Sequence, residues 1–361
     1  MKKRIVPILL SFCLLLSGCS DIYSKLNLHN EPLAEKDIYE QLEKTFEDYE
    51  ESVTFYNTEY DIIAEIYDDV IADHPEYFWV CDSYSYYEDD FACLQYVTIE
   101  PLYSGKESDT VNKKRNELKN IVDDIVDKAK TKSDQYEQAI FVHDYIINNT
   151  EYDSETAEII DLEENKDVIF ESSTAYGCLI NNKAICTGYS AAFQLLMEEL
   201  EFECFRVCGQ ADGELHEWNC LKLGEEYYYV DITWDDSVLS EENDIREGKL
   251  SYEYFCITSE ELFATHTLED DEEVPECTGK QYDYYIYNRM YADVYDYNSA
   301  SAIISGQLSS GIAEIKFSST YELNRALDDL ITKNKIFYVS GINDELSYTT
   351  GTSERILIIR N

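Results

Sequence analysis

Cys186, His216 and Asp231 place a thiol, an imidazole and a carboxylate in one chain order, thirty residues apart and then fifteen. Together they can form a thiol-nucleophile triad. The imidazole takes the thiol proton, the carboxylate holds the imidazole, and the thiolate attacks a carbonyl carbon. The three segments are AICTGYSAAF (184–193), LHEWN (215–219) and YYVDITWDD (228–236). No other constellation in the chain proposes a reaction. G-x-S-x-G, P-loop and zinc-protease motifs are absent from the sequence.

Such a thiol needs an element that stabilises its charge. Ser190, Ala191, Ala192, Phe193, Leu195, Leu196, Met197 and Leu200 predict a helix that is apolar on most sides and therefore buried. Cys186 lies at its start. The partial positive charge and unpaired N–H groups there favour a thiolate and can face an oxyanion. Gly188 allows close approach of backbone or substrate.

His216 and Asp231 need a common surface. Leu215 to Leu223 and Glu226 to Trp234 read as strands around Gly224-Glu225, a Gly-X pair suited to a two-residue type II′ turn. That turn pairs Leu223 with Glu226. The register then sets His216 opposite Thr233 and Trp218 opposite Asp231. His216 and Asp231 become diagonal neighbours on one face, roughly 7–8 Å apart at the backbone. Trp218 shares that face and is a candidate wall or oxyanion donor for the site. Asn219 points the other way and is expected to be structural.

Other candidates are weaker. Cys178 reads as part of a β-like or loop segment. His143 adjoins Asp144 in a helix, where neighbours face different directions. His266 reads as a loop residue, and Asp235 and Asp236 as cap or turn residues. No C-x2-C pair suggests a metal centre. Beyond Cys13 and Cys19 there are nine cysteines, and no disulfide pairing is assigned.

Several blocks carry a family resemblance. They are Tyr176-Gly177-Cys178-Leu179, Lys183 through Tyr189, His216-Glu217-Trp218-Asn219 and Tyr229 through Asp235. His143-Asp144-Tyr145-Ile146 and Asn149 through Asp153 join them upstream. Together they resemble the bacterial transglutaminase-like superfamily, the papain-like group that also contains cysteine proteases and peptide N-glycanases. The resemblance covers roughly residues 134–260. It implies Cys186 as nucleophile, His216 as base and Asp231 as its orienter, with no cofactor. It also raises Tyr176, ten residues before the nucleophile, as a candidate oxyanion donor, although packing explains it as well. Animal relatives use calcium, but Glu88-Asp89-Asp90 and Glu269 to Glu273 lack the spaced ligands of a calcium loop. No metal is expected.

The bulk properties set the context. The formal net charge is −47, with 75 acidic and 28 basic residues. Nucleic acid is excluded as a natural partner, and cationic peptides are favoured over anionic polymers. Residues 1–18 read as a targeting segment: Lys2, Lys3 and Arg4 precede an apolar run, Ile5 to Leu16, too short for an ordinary membrane span. Leu16-Ser17-Gly18-Cys19 resembles a bacterial lipobox. That implies cleavage before Cys19, lipidation of its thiol and residence on the extracytoplasmic face of the cell membrane.

The expected fold class is α+β: a papain-like, transglutaminase-type core, with a helix packed on an antiparallel sheet, flanked by smaller α/β modules. The expected organisation is a signal peptide (1–18), a tether (19–35), an N-terminal α/β module (36–104), a catalytic core with preceding helices (105–275) and a C-terminal α/β module (281–361). Helices are predicted over Asp37 to Tyr49, Thr58 to Ala72, Asn112 to Lys130 and from an N-cap at Ser133 to Ile147. Tyr77 to Cys81 and Cys93 to Pro101 predict a hairpin around an acidic turn. In the C-terminal module, Asn298 to Gly306 and Thr320 to Lys333 predict helices, and Ile312 to Phe317, Ile336 to Ser340 and Arg355 to Ile359 strands. The expected function is thiol-dependent acyl chemistry on a peptide or protein amide. The alternative is a non-catalytic surface-binding protein that retains the fold.

Overall fold

The computed structural model describes residues 33–91, 94–104, 108–160, 170–236, 250–269, 274–343 and 345–361. The targeting segment, the lipidation candidate Cys19 and most of the tether lie outside the described residues. So do most of the polar loop after Asp236 and of the acidic run 269–273.

The chain is a mixed α+β structure of helices and largely antiparallel sheets. Helix α1 (Glu35–Glu47) buries Ile38, Leu42 and Phe46, and α2 (Tyr60–Asp73) buries Ile63, Ile66 and Val70. Both stripes follow the 3–4 spacing of an amphipathic helix. They accompany a three-stranded antiparallel sheet made of β1 (Val53–Tyr56), β2 (Val80–Phe91) and β3 (Leu94–Tyr103), in the order β1-β3-β2. The acidic stretch expected as a turn is instead the outer half of β2. Asp89 and Asp90 sit opposite Tyr96 and Gln95, where pairing with β3 overrides the turn preference of acidic residues.

Helices α3 (Ser108–Ala129) and α4 (Gln135–Asn149) follow. The cap of α4 is Asp134, not Ser133; its carboxylate accepts the Glu137 N–H at 3.0 Å. A two-residue parallel pair, β4 (Glu151–Tyr152) with β5 (Lys183–Ala184), brackets the short helix α5 (Ala175–Leu179). Cys178 therefore lies in a helical turn rather than a strand or loop, because Thr174 caps that turn through the Gly177 N–H.

Helix α6 (Cys186–Glu199) is the centre of the molecule, buried from Gly188 to Met197. It lies against a five-stranded antiparallel sheet: β6 (Cys204–Ala211), β7 (Glu214–Leu223), β8 (Glu226–Val230), β9 (Phe255–Ile257) and β10 (His266–Leu268), in the order β10-β6-β7-β8-β9. Leu221, Leu223, Tyr228 and Val230 face the helix side. Their apolar cluster is continuous with the interior of residues 38–104. Val207, Trp218, Cys220 and Tyr229 form a second cluster on the opposite face, closed by Tyr254, Ile257, Leu262 and Cys277.

The β7–β8 turn carries positive φ at Gly224 alone of its two central residues, as a II′ turn requires, and Leu223 pairs with Glu226. Strand β8 stops at Val230, however. Ile232–Asp235 is a helical turn, α7, because the Asp231 carboxylate accepts the Trp234 N–H at 3.1 Å. Thr233 therefore has no strand partner at His216.

A separate cluster, from Ala292 to Ile359, fills the C-terminal part. Its sheet has the order β11-β12-β14-β13, with β11 (Tyr291–Ala292), β12 (Ile312–Phe317), β13 (Ser347–Thr350) and β14 (Ile356–Arg360). Helices α8 (Tyr297–Gln307) and α9 (Thr320–Ala326) accompany it. The strand expected over Ile336 to Ser340 is not formed at its start: Lys335–Tyr338 is a 3₁₀ turn after Asn334, which adopts φ 57°. Local bonds close the segment on itself: the Phe337 N–H reaches the Asn334 carbonyl at 3.4 Å and the Val339 N–H the Ile336 carbonyl at 2.9 Å. Lys316 of β12 is fully buried, 2.5 Å from Asp283 and 2.7 Å from Glu261. This ion cluster fastens the C-terminal sheet to the segment that follows β9.

Candidate active site

Cys186 is the first residue of α6, preceded by the extended Ile185, and is half-buried. The Ile185 carbonyl takes the N–H groups of Gly188 and Tyr189, each at 3.0 Å. That leaves Cys186 and Thr187 as the first-turn donors. Gly188 is required here: a Cβ would lie 2.4 Å from the Ser172 carbonyl oxygen and 3.0 Å from the Ala184 Cβ. The chain before α6 can close over the helix start only because that methyl is missing.

The helix is tied to the strand that carries His216. Ser190 Oγ donates to Glu217, and Asn219 Nδ2 donates to the Ser190 carbonyl at 3.0 Å. Glu217 and Asn219 flank Trp218 in sequence and point to the helix side, so alternation along β7 sends His216 and Trp218 to the other face. Arg206 lies 3.6 Å from Glu217 and completes its charge balance.

His216 Nε2 lies 2.7 Å from Asp231 Oδ2. The Cys186 side chain lies near enough to the ring to act on its charge. Burial disfavours the charged imidazole, but the Asp231 carboxylate and then the Cys186 thiol outweigh it and push the ring up to about 10. The reciprocal effect acts on Asp231. Burial favours its neutral form, yet His216 and then His266 hold the carboxyl well below the usual carboxylate range.

Sequence reasoning missed His266. Expected as a loop residue, it lies buried in β10, with Nε2 3.1 Å from the same Asp231 Oδ2. A three-residue strand is too short for periodicity to reveal, and only its pairing with β6, His266 opposite Ala211, brings it to the site. One donor atom from each of His216, Asp231 and His266 lies within 4.8 Å of the other two, a set able to share a cation. In the present arrangement hydrogen bonds already join them.

Trp218 is buried beside both rings, 6.0 Å from His216 and edge-on to His266 at 5.1 Å. Its indole N–H has no hydrogen-bond partner among the described residues. Gly209, opposite His216 on β6, makes room for the indole, since a Cβ would meet Trp218 Cη2 at 2.7 Å. Trp234 closes another side, 6.2 Å from His216. Tyr176 is not brought to these rings. Its hydroxyl donates to Glu117 at 3.0 Å and its ring packs on Phe78. Cys178 is enclosed, with its sulfur 3.4 Å from Thr150 Oγ1, and burial pushes its thiol up to about 12.

The two acids after Asp231 serve other partners. Asp235 is buried, 3.3 Å from His143 Nε2, and accepts the Tyr254 N–H. His143 Nδ1 also lies 3.0 Å from Asp144, so these adjacent helix residues do meet. Asp236 accepts the Tyr189 hydroxyl at 2.8 Å. Asp235 and Asp236 thereby join α7 to α4 and α6.

No family model and no curated protein matches the chain. Among solved structures, a transglutaminase is similar, with a TM-score of 0.30 and 15% identity over 44% of this chain. A proposed cysteine protease from Cytophaga hutchinsonii gives 0.26 and 12% over 43%. A proposed protease from Parabacteroides distasonis gives 0.23 and 10% over 40%. The chain spans 45%, 63% and 35% of these structures respectively, less than two thirds of each. The similarity to each is distant.

Proposed function

We propose that this protein is a thiol-dependent acyl transferase or amidohydrolase acting on peptide or protein amides, with Cys186 as nucleophile, His216 as base and Asp231 as orienter. The core is then of the papain-like transglutaminase type, within residues 105–275, flanked by modules at 36–104 and 281–361. One observation carries the reading: a buried imidazole is held by Asp231 at 2.7 Å, and its charge responds to a thiol that opens a helix.

In the proposed reaction His216 takes the Cys186 proton, which makes the thiolate nucleophile. The thiolate attacks the amide carbon. The carbonyl electrons move to oxygen, which the N–H groups of Cys186 and Thr187 face. The C–N bond breaks as His216 gives its proton to the leaving nitrogen, so ammonia or an amine departs and a thioester remains. Water or a second amine then gives a proton to His216 and attacks the thioester. The acid or new amide leaves, and the thiolate returns. Asp231 holds the ring in one orientation throughout and stabilises its charged form. Trp218 walls the site against water. The cycle consumes no cofactor.

The wider assignment belongs to the same proposal. The protein is anchored by a lipid on Cys19 at the extracytoplasmic face of the membrane, and its substrates include cationic peptides. The test is a thiol-reactive glutamine-peptide probe applied to the purified protein. Mass spectrometry should find it on Cys186, and Cys186→Ala should remove the label. Absence of label on Cys186 in folded protein, together with no turnover of any amide, would overturn the enzyme reading. A separate assay, incorporation of labelled fatty acid, should be lost in Cys19→Ser.

A further inference from the structure

Asp231 receives a second imidazole that the chemistry above does not use. His266 comes from β10, the edge strand two places from β7. Its Nε2 lies 3.1 Å from Asp231 Oδ2, the oxygen that also holds His216 Nε2. The ring is enclosed by Trp234 at 4.7 Å, Trp218 at 5.1 Å, Tyr254 at 5.5 Å and His216 at 5.6 Å.

Its other nitrogen, Nδ1, lies 2.8 Å from Thr265 Oγ1. That hydroxyl has a more distant acceptor in the Leu262 carbonyl, at 3.3 Å, and can itself accept from the Tyr254 hydroxyl at 3.3 Å. Donating to Nδ1, it leaves the ring proton on Nε2, directed at Asp231. The carboxylate is then held on both oxygens: Oδ1 takes the Trp234 N–H, and Oδ2 takes two imidazoles.

We propose that His266 is a positioning residue, and that its Nε2–H locks the Asp231 carboxylate so that Oδ2 stays aimed at His216. The proposal rests on the reading of Cys186 and His216 given above. The physical reason lies in the proton transfer. When His216 gives up its proton, its charge and its pull on Asp231 fall together. A carboxylate held only by a backbone N–H and a weakened partner can turn about its Cβ–Cγ bond. A second buried donor on the same oxygen keeps it in place, and in a low-dielectric pocket that bond is strong.

The test measures alkylation of Cys186 by iodoacetamide at fixed pH, which requires no knowledge of the substrate. Circular dichroism and urea unfolding identify the folded variants. His266→Phe fills the aromatic enclosure without a donor, whereas His266→Gln returns an N–H near the position of Nε2. We expect His266→Phe to slow alkylation about tenfold or more, and His266→Gln to recover most of the loss. If His266→Phe does not fold, His266→Asn replaces it: its amide reaches Thr265 but stops short of Asp231. A folded variant lacking the donor that reacts at the wild-type rate overturns the proposal, as does a folded His266→Gln as slow as that variant. His216→Ala separates the two readings. If it reacts at the wild-type rate, the assignment of Cys186 and His216 fails. If it is slow while His266→Phe is fast, only the role of His266 fails.

Discussion

Asn219 donates its side-chain amide to the Ser190 carbonyl across 3.0 Å, joining β7 three residues past His216 to α6 one turn past Cys186. The spacing between thiol and imidazole is therefore set by a buried bond beside the site. Asn219→Ala should lower stability by about 1–3 kcal/mol, through a lost buried hydrogen bond. It should also slow Cys186 alkylation in the folded protein. Urea unfolding and thiol kinetics check both effects, and unchanged kinetics would remove Asn219 from the positioning machinery.

Cys186 and Cys178 should differ sharply in reactivity. Cys186 faces an imidazole at a helix start, whereas Cys178 is enclosed and pushed up to about 12 by burial. At about pH 6, Cys186 should alkylate far faster than Cys178, and His216→Ala should slow it with the fold intact. Peptide mapping after limited alkylation measures this. Equal labelling of the two in native protein would sink the nucleophile assignment.

Asp231 and Asp235 lie four residues apart and should behave differently when made neutral. Asp231→Asn should leave the protein folded and reduce turnover by orders of magnitude, since it disturbs the orientation and charge of His216. Asp235→Asn should act mainly on stability, by about 1–3 kcal/mol, because Asp235 is buried against His143 and the Tyr254 N–H. Parallel assays of turnover and unfolding decide this. Equal losses of turnover in folded variants would mean that the two carboxylates share one role.

Stability should fall as the solution becomes alkaline. His143 is pushed up to about 9: burial opposes its charge, but Asp144 and Asp235 outweigh burial. A group that binds its proton more tightly when folded stabilises fully below its unfolded value, about 6.5, and loses that contribution as pH rises through its folded value. His216, pushed up to about 10, acts in the same sense. The urea midpoint should therefore decline from about pH 6.5 through 9–10, and His143→Gln should flatten the part below 9. A midpoint that rises across this window would contradict the charged buried pairs.

The net charge of −47 should appear in substrate preference. Cationic peptides should react faster than neutral ones, mainly through kcat/KM, because steering raises encounter rates. The advantage should shrink as the Debye length falls from about 10 Å at 0.1 M salt to about 3 Å at 1 M. Turnover that depends on Cys186 but shows no salt-sensitive preference would assign the charge to solubility alone.

Local pattern determined the elements. The apolar residues from Ala191 to Met197 mark α6 as buried, and Gly224-Glu225 sets the β7–β8 register, because side-chain periodicity and turn chemistry act over a few residues. The three candidate residues could be read from type and order, and His216 meets Asp231 at 2.7 Å although Asp231 lies past the end of β8 rather than in the expected pairing. Their surroundings could not be read in this way. Asp231 ends its strand because its own carboxylate caps α7, a competition between strand pairing and a local hydrogen bond that aromatic and β-branched neighbours disguise. The acidic half of β2 is extended only because β3 pairs with it. His266 reaches Asp231 only when β10 adds to the far edge of the sheet, thirty-five residues downstream of the carboxylate. Which buried polar groups share a partner is decided by segments distant in the chain, since each must satisfy its hydrogen bonds where packing has already excluded water.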